Sequence, residues 1–306
     1  MYPYSNQANS VVDVLRFALN RPNIQLETGA EVIRAEYRNR NFFLKTKEKN
    51  YTCDRLIIAC GGLAGTGLGG SPWGYKLLRN FGHTVTRLRP SLVQIRTDWH
   101  GVTALKGVRA NCHVKIYKNT QLFSESTGEL QFTDIGLSGP VMFEISRDVC
   151  YEKADWSAVL DFLPDVSSED LFLELKRRTG TNLPTDEILT GILHNRLGRV
   201  IAKASDISSG QPVSSLREEE LEELCRQAKA FRVSLREPLG MDAAQVTAGG
   251  IRTEEFNELT MESRLVPGLY ACGEVLDIDG DCGGYNLQWA WSSGRLAGEH
   301  AGKAEK

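Results

Sequence analysis

Between Gly268 and Gly298 the chain reads GLYACGEVLDIDGDCGGYNLQWAWSSGRLAG, a short apolar run, a glycine-rich turn and the opening of a helix. Leu269 to Cys272 suits a strand buried on both faces. Gly273 and Glu274 would then stand at its carboxyl end, where open α/β sheets bind ligands. Gly283 and Gly284 let backbone approach a flat ligand with no Cβ in the way, and the helix that follows Asn286 opens with N–H groups that have no internal partner. Such a terminus stabilises developing negative charge, as on the pyrimidine edge of a flavin when it is reduced. The segment therefore has the form of half a flavin site, with Gly273, Glu274, Gly283, Gly284, Tyr285, Asn286 and Leu287 as the candidate contacts.

A second apolar strand, Arg55 to Cys60, also ends in glycine, at Gly61-Gly62, so that Ala59, Gly61 and Gly62 can bring backbone to the same ligand. Glu274 or Asp277 would accept hydrogen bonds from ribityl or ribose hydroxyls, the alternative being loop or cap carboxylates. The run Gly65 to Gly70 matches GxGxxG by letter, but Gly61 to Ala64 separate it from its strand and no acidic residue follows about 20 positions on, so a loop beside a cofactor or another backbone is the better reading. Thr133, Asp134 and Ser138 precede a helix start at Pro140 and read as capping groups ahead of substrate contacts. The five histidines show no metal-ligand spacing, and no nucleophile with a matched base stands out. Seven cysteines (53, 60, 112, 150, 225, 272 and 282) without a CxxC pair read as reduced, mostly buried thiols.

Those motifs need elements to hold them. At 306 residues, with 41% hydrophobic and 25% charged content, the chain has the composition of a soluble globular protein. A net charge of −3 and no long basic cluster argue against nucleic acid as a partner. No apolar run reaches the ~20 residues of a membrane span and no secretory signal opens the chain, so a cytoplasmic location is expected. Periodicity predicts a helix from Val11 to Leu19, a strand near Ile24 to Leu26, a ribbon from Glu31 to Thr46, and a helix from Trp73 to Phe81 with Ser71 as cap and Pro72 at its first position. It then predicts strands at Leu92–Arg96, Asn111–Tyr117 and Glu129–Thr133, and helices at Ser168–Arg178, Thr185–Ala204 and Ser214–Phe231. Glycine-rich strand and turn segments return after Gln245, which predicts a discontinuous domain of residues 1–90 and 245–306 interrupted by an insert, 91–244, β-rich and then helical.

With these residues in place, the chain resembles the BaiN-like family of NAD(P)/FAD-dependent oxidoreductases, also described as aminoacetone-oxidase-type or YhiN-like flavoproteins. The likeness runs through Tyr2 to Ala8, Ala59 to Gly62, Gly74-Tyr75 with Gly82-His83, Pro90 to Val93, Gly128 to Gly139, Ala244 to Gly250, Thr260 to Ser263 and Gly273 to Gly298. It implies an α/β protein with a FAD-binding, two-dinucleotide-binding-type Rossmann-like domain and an inserted domain. It also implies hydride transfer from NAD(P)H through FAD to an organic acceptor such as a conjugated enone, and a place for Val32 near the adenine. Family members open with a strand and a true GxGxxG turn that this sequence lacks, so an amino-terminally truncated domain is expected. The catalytic acid stays unknown, with Tyr285 as a guess. Two alternatives stand beside the enzyme: a non-catalytic fragment or interaction module that does not hold FAD alone, and a flavoprotein that modifies RNA.

Overall fold

The computed structural model describes residues 3–149 and 151–303; Met1, Tyr2 of the first family-like motif, and Cys150 lie outside the described residues. Helix α1 (Ala8–Ala18) is followed by an irregular stretch, with no strand where one was expected near Ile24 to Leu26. α1 buries none of its residues, and Val12, Val14, Leu15 and Phe17 stay exposed. Strands β1 (Arg34–Arg38), β2 (Asn41–Lys45) and β3 (Asn50–Cys53) form an antiparallel sheet. Its first turn is Asn39-Arg40 with φ of +52° and +63°, the two-residue left-handed turn whose twist matches the flanking strands.

β4 (Leu56–Ile58) is shorter than the expected strand, and helix α2 (Trp73–Asn80) begins at Trp73 as expected and ends one residue early. Pro72 is the residue before that helix, and the Ser71 hydroxyl accepts the Trp73 N–H at 3.3 Å. The run Leu92–Arg96 is not one strand. β5 (Arg89–Ser91) pairs with β12 (Val246–Ala248), whereas β6 (Ile95–Thr97) belongs to another sheet. The chain changes sheets at Leu92, whose φ of +50° is a strained value for a branched side chain.

β6 joins β7 (Arg109–Lys118), β8 (Gln121–Phe132), β9 (Gly136–Ser138), β10 (Trp156–Asp161) and β11 (Phe231–Pro238) in a closed barrel of order β10-β11-β6-β9-β8-β7. α3 (Pro140–Ser146) packs on β8 and β9. Gly139, which lacks a side chain to cap it, precedes α3, so neither Thr133 nor Ser138 is its cap. The Thr133 hydroxyl instead organises the turn into β9 by accepting the Gly136 N–H at 3.1 Å. α4 (Ser168–Arg178) has the expected bounds and a Ser167 cap. The helix expected over Thr185–Ala204 is a single 3-10 turn, Thr185–Glu187, then an irregular stretch through Gly191 at φ +82°, then α5 (Asn195–Ala204). The last expected helix ends early, as α6 (Glu218–Lys229), and Phe231 opens β11. Phe231, Val233 and Leu235 are buried while Arg232, Ser234 and Arg236 are exposed, a period of two.

Among the described residues, most buried hydrophobic side chains fall into two clusters. One, with Val114, Ile116, Leu130, Phe132, Leu160 and Val233, fills the barrel and extends under α4 to α6. The other gathers Phe42, Ile58 and Leu78 with Ile251, Leu269 and Val275, so that it joins residues from both ends of the chain. In it β13 (Leu269–Ala271) lies parallel to β4, and α7 (Tyr285–Ala301) packs on both strands. Leu56 N–H bonds Gly268 O at 3.0 Å and Cys272 N–H bonds Ile58 O at 3.1 Å, which turns the polar backbone groups of the intervening Ile57 away from β13.

A buried polar pin closes this second core. His83, wholly inaccessible in its side chain, lies 2.8 Å from Glu255 Oε2 through Nδ1 and 2.9 Å from Ser263 Oγ through Nε2, stacked on Phe256. Ser263 Oγ already accepts the N–H groups of Leu265 and Val266, so its proton goes to Nε2 and His83 donates through Nδ1 to Glu255. Burial pushes the Glu255 carboxyl up, but the Thr84 N–H and the His83 ring outweigh it and hold the group below its ordinary 4.5. A depressed carboxyl stabilises the fold above its unfolded value and loses that contribution as pH falls through its folded value. Denaturant unfolding of Glu255→Gln should therefore show a shallower loss of stability below pH ~4.5 than the parent, and equal slopes would refute the pin.

Candidate functional site

The parallel pairing of β4 and β13 brings two strand ends together, with Ala271 opposite Ile58. Beyond them Ala59 and Gly61 on one side, and Gly273 and Glu274 on the other, line one cleft of about 380 Å³. That volume falls within the range of about 300–1,000 Å³ typical of small-molecule sites. Asp281 to Gly284 close one side and Asn286, Leu287 and Ala290 of α7 the floor. The opposite wall is Leu92 with Gln245 and Val246, where the β5–β12 ribbon meets the barrel.

Gly283 and Gly284, at φ of +127° and +100°, carry the chain into α7, and a Cβ on Gly284 would meet nothing within 4 Å. The first turn of α7 borders this space, and its first backbone N–H groups have no helical partner and no side-chain cap. Asn286 does not turn its side chain to a ligand. Its Oδ1 accepts the Gly280 N–H at 2.9 Å and its Nδ2 donates to Gly280 O at 2.8 Å, which ties the loop into a ring. Gly273 is likewise fastened from behind: its N–H donates to Ser293 Oγ at 3.0 Å and its carbonyl accepts from Trp289 Nε1 at 3.1 Å. At φ +73° it lets α7 come close, with Ala290 3.8 Å from where its Cβ would be. Gly273 thus shapes the cleft rather than offering a free donor.

Glu274 is placed by the chain itself. Its Oε1 accepts the Thr247 N–H at 2.9 Å, and a Cβ on Gly62 would stand 2.1 Å from that oxygen, so glycine at 62 makes room for the carboxylate. The Thr247 hydroxyl accepts the N–H groups of Leu63 and Ala64, both at 2.8 Å, and so anchors the strand end of β4 to β12. Tyr75 is buried beside these groups, and desolvation with the Glu274 charge pushes its phenol up, leaving it neutral. Desolvation pushes both the Cys60 and Cys272 thiols up; Cys272 is buried and packs, whereas Cys60 stays exposed at the strand end. Cys60 Sγ fills the space over Gly74, 2.0 Å from where a Cβ would lie.

Of the residues singled out in the sequence, Ala59, Gly61, Gly273, Glu274, Gly283, Gly284, Asn286 and Leu287 line this one cleft. Gly62 lies beneath Glu274. Asp277 is not among the cleft's lining residues, and its backbone N–H donates to Ile251 O at 2.8 Å. Tyr285 is 65% exposed at the helix start and is not among the cleft's lining residues. Val32 lies elsewhere, in an apolar groove with Leu44, Ile57 and Trp73 on the far edge of β4. The Gly65–Gly70 run is a 3-10 turn, Thr66–Leu68, between left-handed glycines, with no helix directly after it. Leu92, Gln245 and Val246 were not singled out as contacts. Their signal was the Pro90–Val93 and Ala244–Gly250 motifs, which carried no chemistry that spacing alone could read. Among the described residues, no three His, Cys, Asp or Glu side chains group as metal ligands, and no helix is long and apolar enough to cross a membrane.

A mixed α/β frame with a glycine-lined cleft at parallel strand ends is the form of a Rossmann-type binding site. The chain belongs to the HI0933-like family, whose Rossmann-domain model matches residues 1–300, as the motifs led us to expect. It is 37% identical over 310 residues to the 3-dehydro-bile acid delta(4,6)-reductase of Clostridium scindens, an alignment spanning 98% of this chain and 75% of that protein. The ribosomal RNA dihydrouridine synthases of Escherichia coli and Haemophilus influenzae are 34% and 30% identical, over 94% of this chain and 70% and 71% of theirs. A relative that is a reductase makes a small-molecule oxidoreductase the class to which the site is compared.

Thr247 is 1% exposed, so Thr247→Val leaves two strand-end N–H groups without their acceptor. The variant should lose about 1–3 kcal/mol in denaturant unfolding and expose the 63–70 loop to proteolysis; parental stability would mean that the hydroxyl does not anchor the cleft.

Proposed function

We propose that this chain forms part of a FAD-dependent oxidoreductase that reduces an organic acceptor, a conjugated enone. The observation that carries the reading is the cleft itself: two glycine-ended parallel strands facing the opening of α7, with an apolar wall at Leu92 and Val246. A bound flavin would take hydride from NAD(P)H and pass it to the acceptor. The residues present fit such a group. The glycine cradle at 283–284 and the unpartnered N–H groups of the first turn of α7 suit the pyrimidine edge, where reduction adds negative charge. Glu274, fixed by Thr247, supplies an acceptor for ribityl hydroxyls. Ala59 and Gly61 would bound such a group from the β4 side, and the apolar Leu92 wall would keep water from it. No side chain is assigned as the proton donor; Tyr285 stays an exposed guess.

The same reading divides the chain into a discontinuous FAD domain, 1–90 and 245–306, and an insert, 91–244. The two separate hydrophobic clusters support that division.

A second reading, reduction of a pyrimidine in RNA, is favoured by the two relatives named as ribosomal RNA dihydrouridine synthases. The net charge of −3 opposes it, since RNA binding draws on clustered positive charge. The decisive test is the visible spectrum of the purified chain with FAD added. Protein-bound flavin bands near ~450 nm that bleach anaerobically with NADH or NADPH and recover on adding a conjugated enone are expected. Recovery with uridine-containing RNA but not with the enone would favour the second reading. A chain that stays colourless would mean a module that does not hold FAD alone.

A further inference from the structure

The loop from Asp277 to Gly284 forms one side of the cleft, and its fastenings are unevenly spread. At its start the Asp277 N–H bonds Ile251 O, and at its middle Gly280 is held by Asn286. Between them stands Asp279, whose side chain is only 3% exposed. A carboxylate so removed from water needs a counter-charge. Nη2 of Arg147 stands 3.0 Å from Oδ1 of Asp279, an ion-pair distance without hydrogen-bond geometry, and burial still outweighs it in pushing the carboxyl up. Arg147 lies 132 positions earlier in the chain, directly after α3, the helix packed on barrel strands β8 and β9. The next residue, Asp148, pairs with Arg89 of β5 at 3.3 Å, so the end of α3 grips the strand side of the cleft as well as the loop.

We propose that Arg147 is a positioning residue for the cleft, its ion pair with Asp279 latching the loop that carries Asp281 to Gly284 onto α3 and the barrel. Two glycines in left-handed conformation give that loop little stiffness of its own, so its place over α7 is set by its anchors. If the cleft holds flavin as proposed above, the latch fixes the backbone wall against which the ring lies. The latch itself is a property of the protein alone, and so is its test.

Cys282 sits in the loop, partly exposed, and reports its opening directly; Cys225, buried in α6, reports loosening of the barrel-side core. Alkylation by iodoacetamide, resolved by residue with mass spectrometry, is measured without flavin on the parent chain, Arg147→Ala and the double variant Arg147→Ala/Asp279→Asn. The double variant removes the latch without leaving a buried charge unpaired. The expected result is a rise of about tenfold in the Cys282 rate in both variants, with Cys225 unchanged. A Cys282 rate in the double variant within about twofold of the parent would overturn the latch, leaving Arg147 only as charge compensation. A parallel rise at Cys225 would overturn it too, because the change would then be global. Neither outcome bears on whether the chain takes FAD, which the spectrum decides.

Discussion

The candidate site depends on one pairing, β4 parallel to β13, made between segments more than 200 residues apart in the sequence. A parallel ladder cannot be closed by a tight turn, so the intervening chain must leave the layer and return. What it builds on the way is the closed six-stranded barrel and its helices. The return is secured next to the pairing: Thr247 holds both the loop after β4 and the Glu274 carboxylate, and α7 clamps Gly273 through Ser293 and Trp289. Without the pairing, the two glycine-ended strand tips would have no reason to face a common space.

Around that pairing the polar groups are disposed in two ways. Those behind the cleft are matched: Ser293, Asn286, Thr247 and the His83 pin each satisfy backbone or buried partners. Those in front are left to glycine backbone and the opening of a helix, which costs no side-chain entropy when a ligand arrives. Cys272 follows the same division, since burial pushes its thiol up and confines it to packing. Such a surface binds and orients; the chemistry is expected from what it binds.

Much of the site was legible in the sequence because glycine after an apolar run has a narrow physical meaning. Ala59, Gly61, Gly283 and Gly284 come together in the cleft for that reason. The opposite wall was not legible. Leu92 reads as part of a strand, and only its left-handed backbone, forced by the change of sheet between β5 and β6, turns it into a corner. Asn286 was chosen by type, but its amide serves Gly280 rather than a ligand, a contact six residues away that spacing does not announce. In the barrel, β10 and β11 were missed because amphipathic alternation lay beside strong helical patterns. Arg232 and Arg236 face solvent between buried Phe231, Val233 and Leu235, a strand pattern that the periodicity of α6 ran into.

The central claim, that this cleft receives a flavin, is tested most directly by hydrogen exchange of individual backbone amides with and without FAD. The account predicts slowed exchange confined to the strand ends at 59–62 and to Gly283 through Leu287, with the barrel unaffected. Unchanged exchange at those amides, or protection centred instead on the separate cavity lined by Tyr37, Arg55 and His300, would contradict it.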